Sequence, residues 1–523
     1  MISRIRLILA LGVAACGPHG FGGSAPFQYQ NPVRAGDYPD PSVIRVGDDY
    51  WASATSSEWA PHFPILHSRD LVNWEIKGHV FTEMPKWAKA NFWAPEIAQE
   101  KGKFFVYYVG RSSEHNRLAV AVATADRPEG PWTDHGPLVS QDAGSIDPVP
   151  FTDAKGARWL VWKEDGNSKK RPTPLFVQRL REDGLELVGE RREILRNDAP
   201  WEGAVVEGPF IVRHGDYYYL FYSGNACCGR GCNYALGVAR AKDMPGPWEK
   251  APANPILAGN DAWRCPGHGS IVTDRDGRYW LLYHAYAQKG FVATGREMLL
   301  DEVVFGANGW PTINGGKGPS VRAAGPKVAR WQKDITAVRD DFSGQTLGPT
   351  WQWLVGRRPA TRLSGGWLTL DASENGAATV QSITVPSFVA ETAVDPKKLE
   401  HGALAGLAIY GDRANHLALV TDGAKVQVWS EEKSQRRKVA ERAAQAGAAV
   451  RLRIACIDGN RFRFAMQGPG GQWQEIGGET DGSFLPPWDR GVRTGVYVLG
   501  DTGARASFDY FTALPGDEKL FAP

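Results

Sequence analysis

The sequence predicts an all-β protein, a five-bladed β-propeller followed by an antiparallel β-sandwich. Three observations carry this. A polar residue opens a short apolar strand five times, at intervals of 51 to 61 residues. Each opening is followed, after a Gly-containing turn, by a strand rich in Tyr, Trp and Phe. The C-terminal third then shows short apolar runs with almost no helical periodicity.

In chain order, Arg4 and Arg6 precede an apolar run from Leu7 to Ala15 that is too short to cross a bilayer, so residues 1–16 read as a targeting segment. The run ends Val13-Ala14-Ala15-Cys16-Gly17, similar to a bacterial lipobox. That predicts export, either as a lipoprotein attached through Cys16 to a periplasmic, outer-membrane or cell-surface site, or by plain secretion. No later stretch is long and apolar enough to span a membrane as a helix.

Residues 28–320 hold the repeats. The openings are Asp40-Pro41-Ser42-Val43-Ile44, Glu96-Ile97-Ala98, Asp147-Pro148-Val149, Glu207-Gly208-Pro209-Phe210 and His268-Gly269-Ser270-Ile271. The aromatic second strands include Lys103-Phe104-Phe105-Val106-Tyr107-Tyr108, Arg158-Trp159-Leu160-Val161-Trp162 and Arg278-Tyr279-Trp280-Leu281-Leu282-Tyr283. A unit of four short strands cannot bury its own faces, whereas several units set radially bury them against one another around a channel. The first strand of each unit is then innermost, and Asp40, Glu96, Asp147, Glu207 and His268 are expected to ring one mouth of that channel. Four carboxylates and a histidine so crowded repel one another, an arrangement that suits chemistry better than stability.

A basic, Ala-rich connection with few strand signals runs from Pro319 to about Asp334, and residues 335–516 read as the sandwich. Its strands include Leu404-Ala405-Gly406-Leu407-Ala408-Ile409-Tyr410 and Lys425-Val426-Gln427-Val428-Trp429.

Composition narrows the partners. At 523 residues, 42% of them hydrophobic, the chain has material for more than one core. Lys and Arg total 60 against 58 Asp and Glu, a net charge of +2 that excludes an electrostatically driven nucleic-acid partner. A neutral polymer fits better, and the 20 Trp and 16 Tyr supply flat faces suited to sugar rings, although any single one is more often core. With Cys16 set aside, Cys227, Cys228, Cys232, Cys265 and Cys456 cannot all pair, so at least one is free. Cys227, Cys228 and Cys232 lack an adjacent His for a metal site. A loop disulfide from Cys232 to Cys227 or Cys228 is predicted instead.

Tyr38-Pro39-Asp40-Pro41-Ser42, Trp93-Ala94-Pro95-Glu96, Ser145-Ile146-Asp147-Pro148, Glu207-Gly208-Pro209 and Gly267-His268-Gly269-Ser270 together resemble the signature series of glycoside hydrolase family 43, from about Asn31 to Gly315. The resemblance implies inverting hydrolysis of arabinofuranosyl or xylosyl linkages by three carboxylates. Asp40 matches the general base that activates water, Glu207 the general acid, and Asp147 the residue that orients the acid and tunes its pKa. A neighbouring ionised carboxylate raises the pKa of an acid, so Asp147 is expected to raise that of Glu207. Arg296, in Gly295-Arg296-Glu297, resembles a substrate-contacting arginine. His268 matches a histidine that in several members lies beside a mostly water-coordinated calcium. Phe92 and Trp93 are candidates for a sugar-binding floor, Trp162 reads as core, and Glu96 as structural or channel-lining. Asp341-Phe342-Ser343 and Ser507-Phe508-Asp509-Tyr510-Phe511 resemble the first and last strands of the lectin-like sandwich found in many β-xylosidases and arabinofuranosidases of the family. This points to an exo-acting enzyme, with endo-acting arabinanase and a non-catalytic glycan-binding propeller as the alternatives. Retaining fructan hydrolases, which open on Asn-Asp-Pro-Asn-Gly, match less well.

Overall fold

The computed structural model describes residues 27–445 and 447–516. The expected targeting segment, residues 1–16 with Cys16, lies outside the described residues. Five four-stranded antiparallel sheets form, one per sequence repeat. Their first strands, Ser42–Val46, Ala88–Glu100, Ser145–Thr152, Val206–His214 and Trp263–Thr273, neighbour one another in cyclic order, the last lying against the first. The aromatic second strands are buried on both faces because each sheet is packed between two others. In Lys103–Ser112, Tyr107 packs with Leu160 and Trp162 of the third sheet, while Tyr108 turns to Phe63 and Phe81 of the first. That is why these strands read as continuous apolar runs rather than an alternation.

The connection after Pro319 differs from its sequence reading. Arg322–Ala324 is a strand, paired antiparallel with Gln28–Gln30. Three residues with two alanines carry no strand signature; a partner almost the whole ring away supplies the pairing.

Beyond it, a six-stranded and a nine-stranded sheet stack face to face. Leu368, Phe388, Ile409, Leu452, Phe508 and Phe511 fill the space between them. Phe342, in the predicted first strand, is buried in the same core. The two halves are joined by backbone and by charge. Trp59–Ala60, between the second and third strands of the first sheet, pairs with Trp353–Leu354 of the C-terminal half in a two-stranded sheet of their own. Arg493, from the six-stranded sheet, reaches Asp37 at 3.2 Å with both side chains almost fully buried.

The disulfides also differ from expectation. Cys232 bonds Cys265, at a Cα separation of 6.0 Å, and Cys227 bonds its neighbour Cys228. Cys265 is distant in sequence but lies on the first strand of the fifth sheet, which the ring sets beside the loop after the fourth sheet's second strand. Cys456 is buried and free.

Candidate active site

The first strands reach the centre bent. All five openings place one residue in the left-handed region: Asp40 (φ 53°), Ala94 (42°), Asp147 (56°), Gly208 (54°) and His268 (40°). In four of them the strand register also breaks there, between Trp93 and Glu96, Ile146 and Val149, Glu207 and Phe210, and Gly267 and Ser270. Such bulges re-aim side chains at a sheet rim, and their strain is held by the surrounding packing. The kink is what repeats. Asp40, Asp147 and His268 occupy it and Glu207 immediately precedes it, whereas Glu96 stands two residues past the kink at Ala94. The five opening residues are therefore not equivalent. A cavity of about 300 Å³ is lined by Asp40, Asp147, Glu207, His268, Trp93 and Arg296 but not by Glu96, whose carboxyl is raised well above its usual range by burial alone.

Around Asp40 the groups are cationic or donating. Thr55 Oγ1 donates to its Oδ2 at 2.7 Å, and Arg296 donates to its Oδ1 at 3.0 Å. The Nδ1 atoms of His268 and His284 each lie 3.3 Å from Oδ1. Burial pushes the carboxyl up, but the Arg296 guanidinium, with His268, outweighs it and holds Asp40 ionised far below the ordinary range. His284 itself is kept neutral, its pKa lowered by burial to about 4, and its Nδ1 accepts the Asp40 backbone N–H at 3.0 Å.

The other two carboxylates form a different environment. Asp147 accepts the N–H of Gly208, the residue after Glu207, at 2.9 Å. Glu207 accepts from Lys163 Nζ at 2.7 Å and from the Tyr234 hydroxyl at 2.9 Å. Burial and the Glu207 charge push Asp147 up to about 6. Burial pushes Glu207 up as well, but the Lys163 ammonium overrides it and leaves Glu207 below its ordinary value. Within the pair the directions differ from those expected, Asp147 raised and Glu207 lowered, because Lys163 contacts Glu207 directly.

Lys163, Tyr234, Thr55 and His284 were not found by sequence reasoning. Lys163 pairs in register with Ile146, Ser223 with Glu207, and His284 with Gly267. Each is a polar residue late in an otherwise largely apolar second strand, one position past Trp162, Tyr222 and Tyr283. That polar interruption beside a kinked opening was the available signal.

The remaining candidates divide. Arg296 is buried and its second guanidinium nitrogen donates to the Asp489 carbonyl at 2.9 Å, so it belongs to the site rather than to an outer strand. Trp93 lines the cavity, with its Nε1 donating to Ser57 Oγ at 3.2 Å. Phe92 does not: it is fully buried, stacked on His62 at 3.7 Å, and has no surface to offer a sugar. Trp162 is core, as read, donating to Gln141 at 2.6 Å. The sandwich supplies Trp488 and Asp489 to the cavity; Asp489 accepts from Ser57 Oγ at 2.5 Å, and Trp488 meets Trp93 edge to face. Beside His268, which turns its Nδ1 to Asp40, no group of three or more His, Cys, Asp or Glu suited to a metal occurs among the described residues, so a calcium there would be held mostly by water. No step below is routed through a metal.

This arrangement sets a carboxylate held ionised by Arg296 and two further buried carboxyls on separate sheets of one cavity, as acid–base hydrolysis of a sugar linkage requires. In sequence and fold the chain is similar to known proteins. The family model described as "Glycosyl hydrolases family 43" matches residues 29–311, and that of the "Beta xylosidase C-terminal Concanavalin A-like domain" matches residues 339–513. A xylosidase/arabinosidase of Humicola insolens is 28% identical over 93% of this chain and 98% of its own. An extracellular exo-α-(1→5)-L-arabinofuranosidase of Cellvibrio japonicus is 29% identical over 53% of this chain and 86% of its own. Among solved structures, the GH43 BlXynB protein of Bacillus licheniformis superposes with a TM-score of 0.82 at 27% identity, over 94% of this chain and 100% of that one. With the first of those models covering more than half of the sequence, the chain belongs to glycoside hydrolase family 43.

Proposed function

We propose that the protein is an exo-acting, inverting hydrolase that removes terminal α-L-arabinofuranosyl or β-xylosyl units from plant cell-wall polysaccharides or their oligosaccharides. The observation that carries this reading is the contrast within one cavity: Asp40 bound to Arg296, and, on other sheets, Glu207 bound to Lys163 and Tyr234 with Asp147 on the adjoining Gly208 N–H. A water between Asp40 and the anomeric carbon loses its proton to Asp40 as its oxygen attacks. The bond to the leaving oxygen breaks as Glu207 donates a proton to it, drawn from the pair it forms with Asp147. Arg296, fixed on Asp40 and the Asp489 carbonyl, holds the base in place. The names of the relatives support pentose linkages as the substrate. Trp488 and Asp489, reaching into the cavity from the sandwich, favour a pocket that receives a chain end over a groove open at both sides.

A panel of nitrophenyl α-L-arabinofuranoside, nitrophenyl β-xyloside, arabinan, arabinoxylan and xylo-oligosaccharides, with products identified, tests the reading. Single pentoses released from chain ends are expected, and Asp40→Ala is expected to reduce turnover roughly 10²- to 10⁴-fold on every substrate that is cleaved. Internal oligosaccharides as first products would show endo action, and inactivity on the whole panel would leave a glycan-binding module.

A further inference from the structure

The loop after the strand Tyr217–Gly224 puts two sulfur atoms where a carbohydrate site ordinarily has none. Cys227 and Cys228, bonded to each other, are half-buried and line the same cavity as Asp40, Asp147 and Glu207. Their place in that cavity follows from the sheet: Glu207 pairs in register with Ser223, and the chain reaches Cys227 four residues later. The disulfide therefore stands on the side of the cavity from which Glu207 delivers its proton, the side on which the leaving group departs.

The loop is held firmly. Ala226 and Asn233 close it with two hydrogen bonds of 3.0 Å. Cys232 ties it to Cys265 on the fifth sheet, the Gly229 N–H donates to Tyr286 at 3.1 Å, and Arg264 donates to the Gly229 and Arg230 carbonyls at 2.9 Å. It also abuts the sandwich. A methyl group on Gly229 would come within 3.0 Å of the Trp488 carbonyl, and Trp488, 62% exposed, lines the cavity too. A disulfide between adjacent residues has no polar hydrogen and no charge, and its side chains lose no rotamer freedom when a ligand docks, so it offers a preorganised apolar surface.

We propose that the Cys227–Cys228 disulfide, together with Trp488, forms the apolar wall of the leaving-group subsite and receives the hydrophobic face of the sugar next to the one removed. This rests on the reading of the protein as a pentose-releasing hydrolase and adds to it the part of the pocket that senses what the terminal pentose is attached to. The wall leaves the terminal-pentose site, around Asp40 and Arg296, untouched.

Two full-length variants decide it, Cys227→Ala/Cys228→Ala and Cys227→Ser/Cys228→Ser, each keeping the Cys232–Cys265 bond. The measurements are kcat and KM on the pentose disaccharide that the wild type cleaves, and inhibition by the free pentose, which fills only the terminal site. Removing a contact of this size from an apolar subsite is worth about tenfold or more. KM for the disaccharide is expected to rise about tenfold in both variants while the inhibition constant of the free pentose stays unchanged. An unaltered disaccharide KM overturns the wall, and so does an inhibition constant that rises in step with KM, since the loop would then only be supporting the fold. If the alanine pair fails to fold, the serine pair, nearly the same size but polar, is read by the same two numbers. A wild-type protein that neither cleaves nor binds any pentose overturns the functional reading itself, and with it the ligand assigned to the wall.

Discussion

At the Asp147–Glu207 pair two effects pull in opposite directions. The Glu207 charge raises the pKa of Asp147, so the pair's last proton is held to higher pH, while the Lys163 ammonium, 2.7 Å from Glu207, lowers both. Because the acid works only when the pair carries a proton, activity is lost as pH rises through the value at which that proton leaves. Lowering the value moves this basic limb to lower pH, and raising it moves the limb to higher pH. Asp147→Asn removes the repulsion, so the limb of kcat/KM is expected to shift downward. Lys163→Met removes the cation that depresses both carboxyls, so the limb is expected to shift upward. A pH–rate profile of each variant checks the pair of signs. Shifts in the same direction would mean that Lys163 and Asp147 do not compete for one proton. The carboxylates themselves were legible in the sequence because each opens a repeat. Lys163 was not, because it follows the apolar part of a strand, and that part alone marked the strand.

Among the elements, the kinked first strand explains both what sequence spacing revealed and what it misplaced. Aligning the polar residues gives a regular period and correctly announces five sheets, but it sets Glu96 level with Asp40 and Asp147. The backbone repeats at Ala94 instead, and a left-handed residue cannot be told from an ordinary one in Trp93-Ala94-Pro95. Phe92 was misjudged for the same local reason: it lies just before the kink, and its neighbour Trp93 is the one that reaches the cavity. The cysteine pairing depended on two sheets becoming neighbours, which no local pattern encodes. At Gly208 the kink is also a test. Its φ of 54° is costly for a residue with a side chain, and an added methyl would meet the His268 ring at 2.8 Å. Gly208→Ala is expected to destabilise the protein by about 1–2 kcal/mol from the backbone conformation alone. It is also expected to lower kcat/KM, by displacing His268 from Asp40 and the Gly208 N–H from Asp147. Urea unfolding and steady-state kinetics on one sample check this; unchanged kcat/KM would show that the kink does not position the site.

The catalytic cavity is a property of the whole chain, since the sandwich closes it and the junction that brings the sandwich there is built from buried charge. Asp37 accepts the backbone N–H of Arg296 at 3.1 Å, the N–H of Gly491 at 2.9 Å and the Arg493 guanidinium at 3.2 Å. Breaking such a buried pair from one side leaves the other charge without a partner, at a cost of about 3–5 kcal/mol. Asp37→Ala is therefore expected to lower the unfolding free energy by that amount and to weaken catalysis through Arg296, and an unfolding midpoint close to that of the wild type would contradict the junction's role. The central claim is that water, activated by Asp40, attacks from the side opposite a leaving group protonated by Glu207. Asp40 and Glu207 belong to the first and fourth sheets, which are not adjacent in the ring of five. Inversion needs about 6.5–9.5 Å between base and acid so that water fits, against about 5–5.5 Å for a retaining nucleophile. Proton NMR of the first sugar released, recorded before mutarotation, tests this most directly: the account predicts an anomer of inverted configuration, and a retained anomer would contradict it.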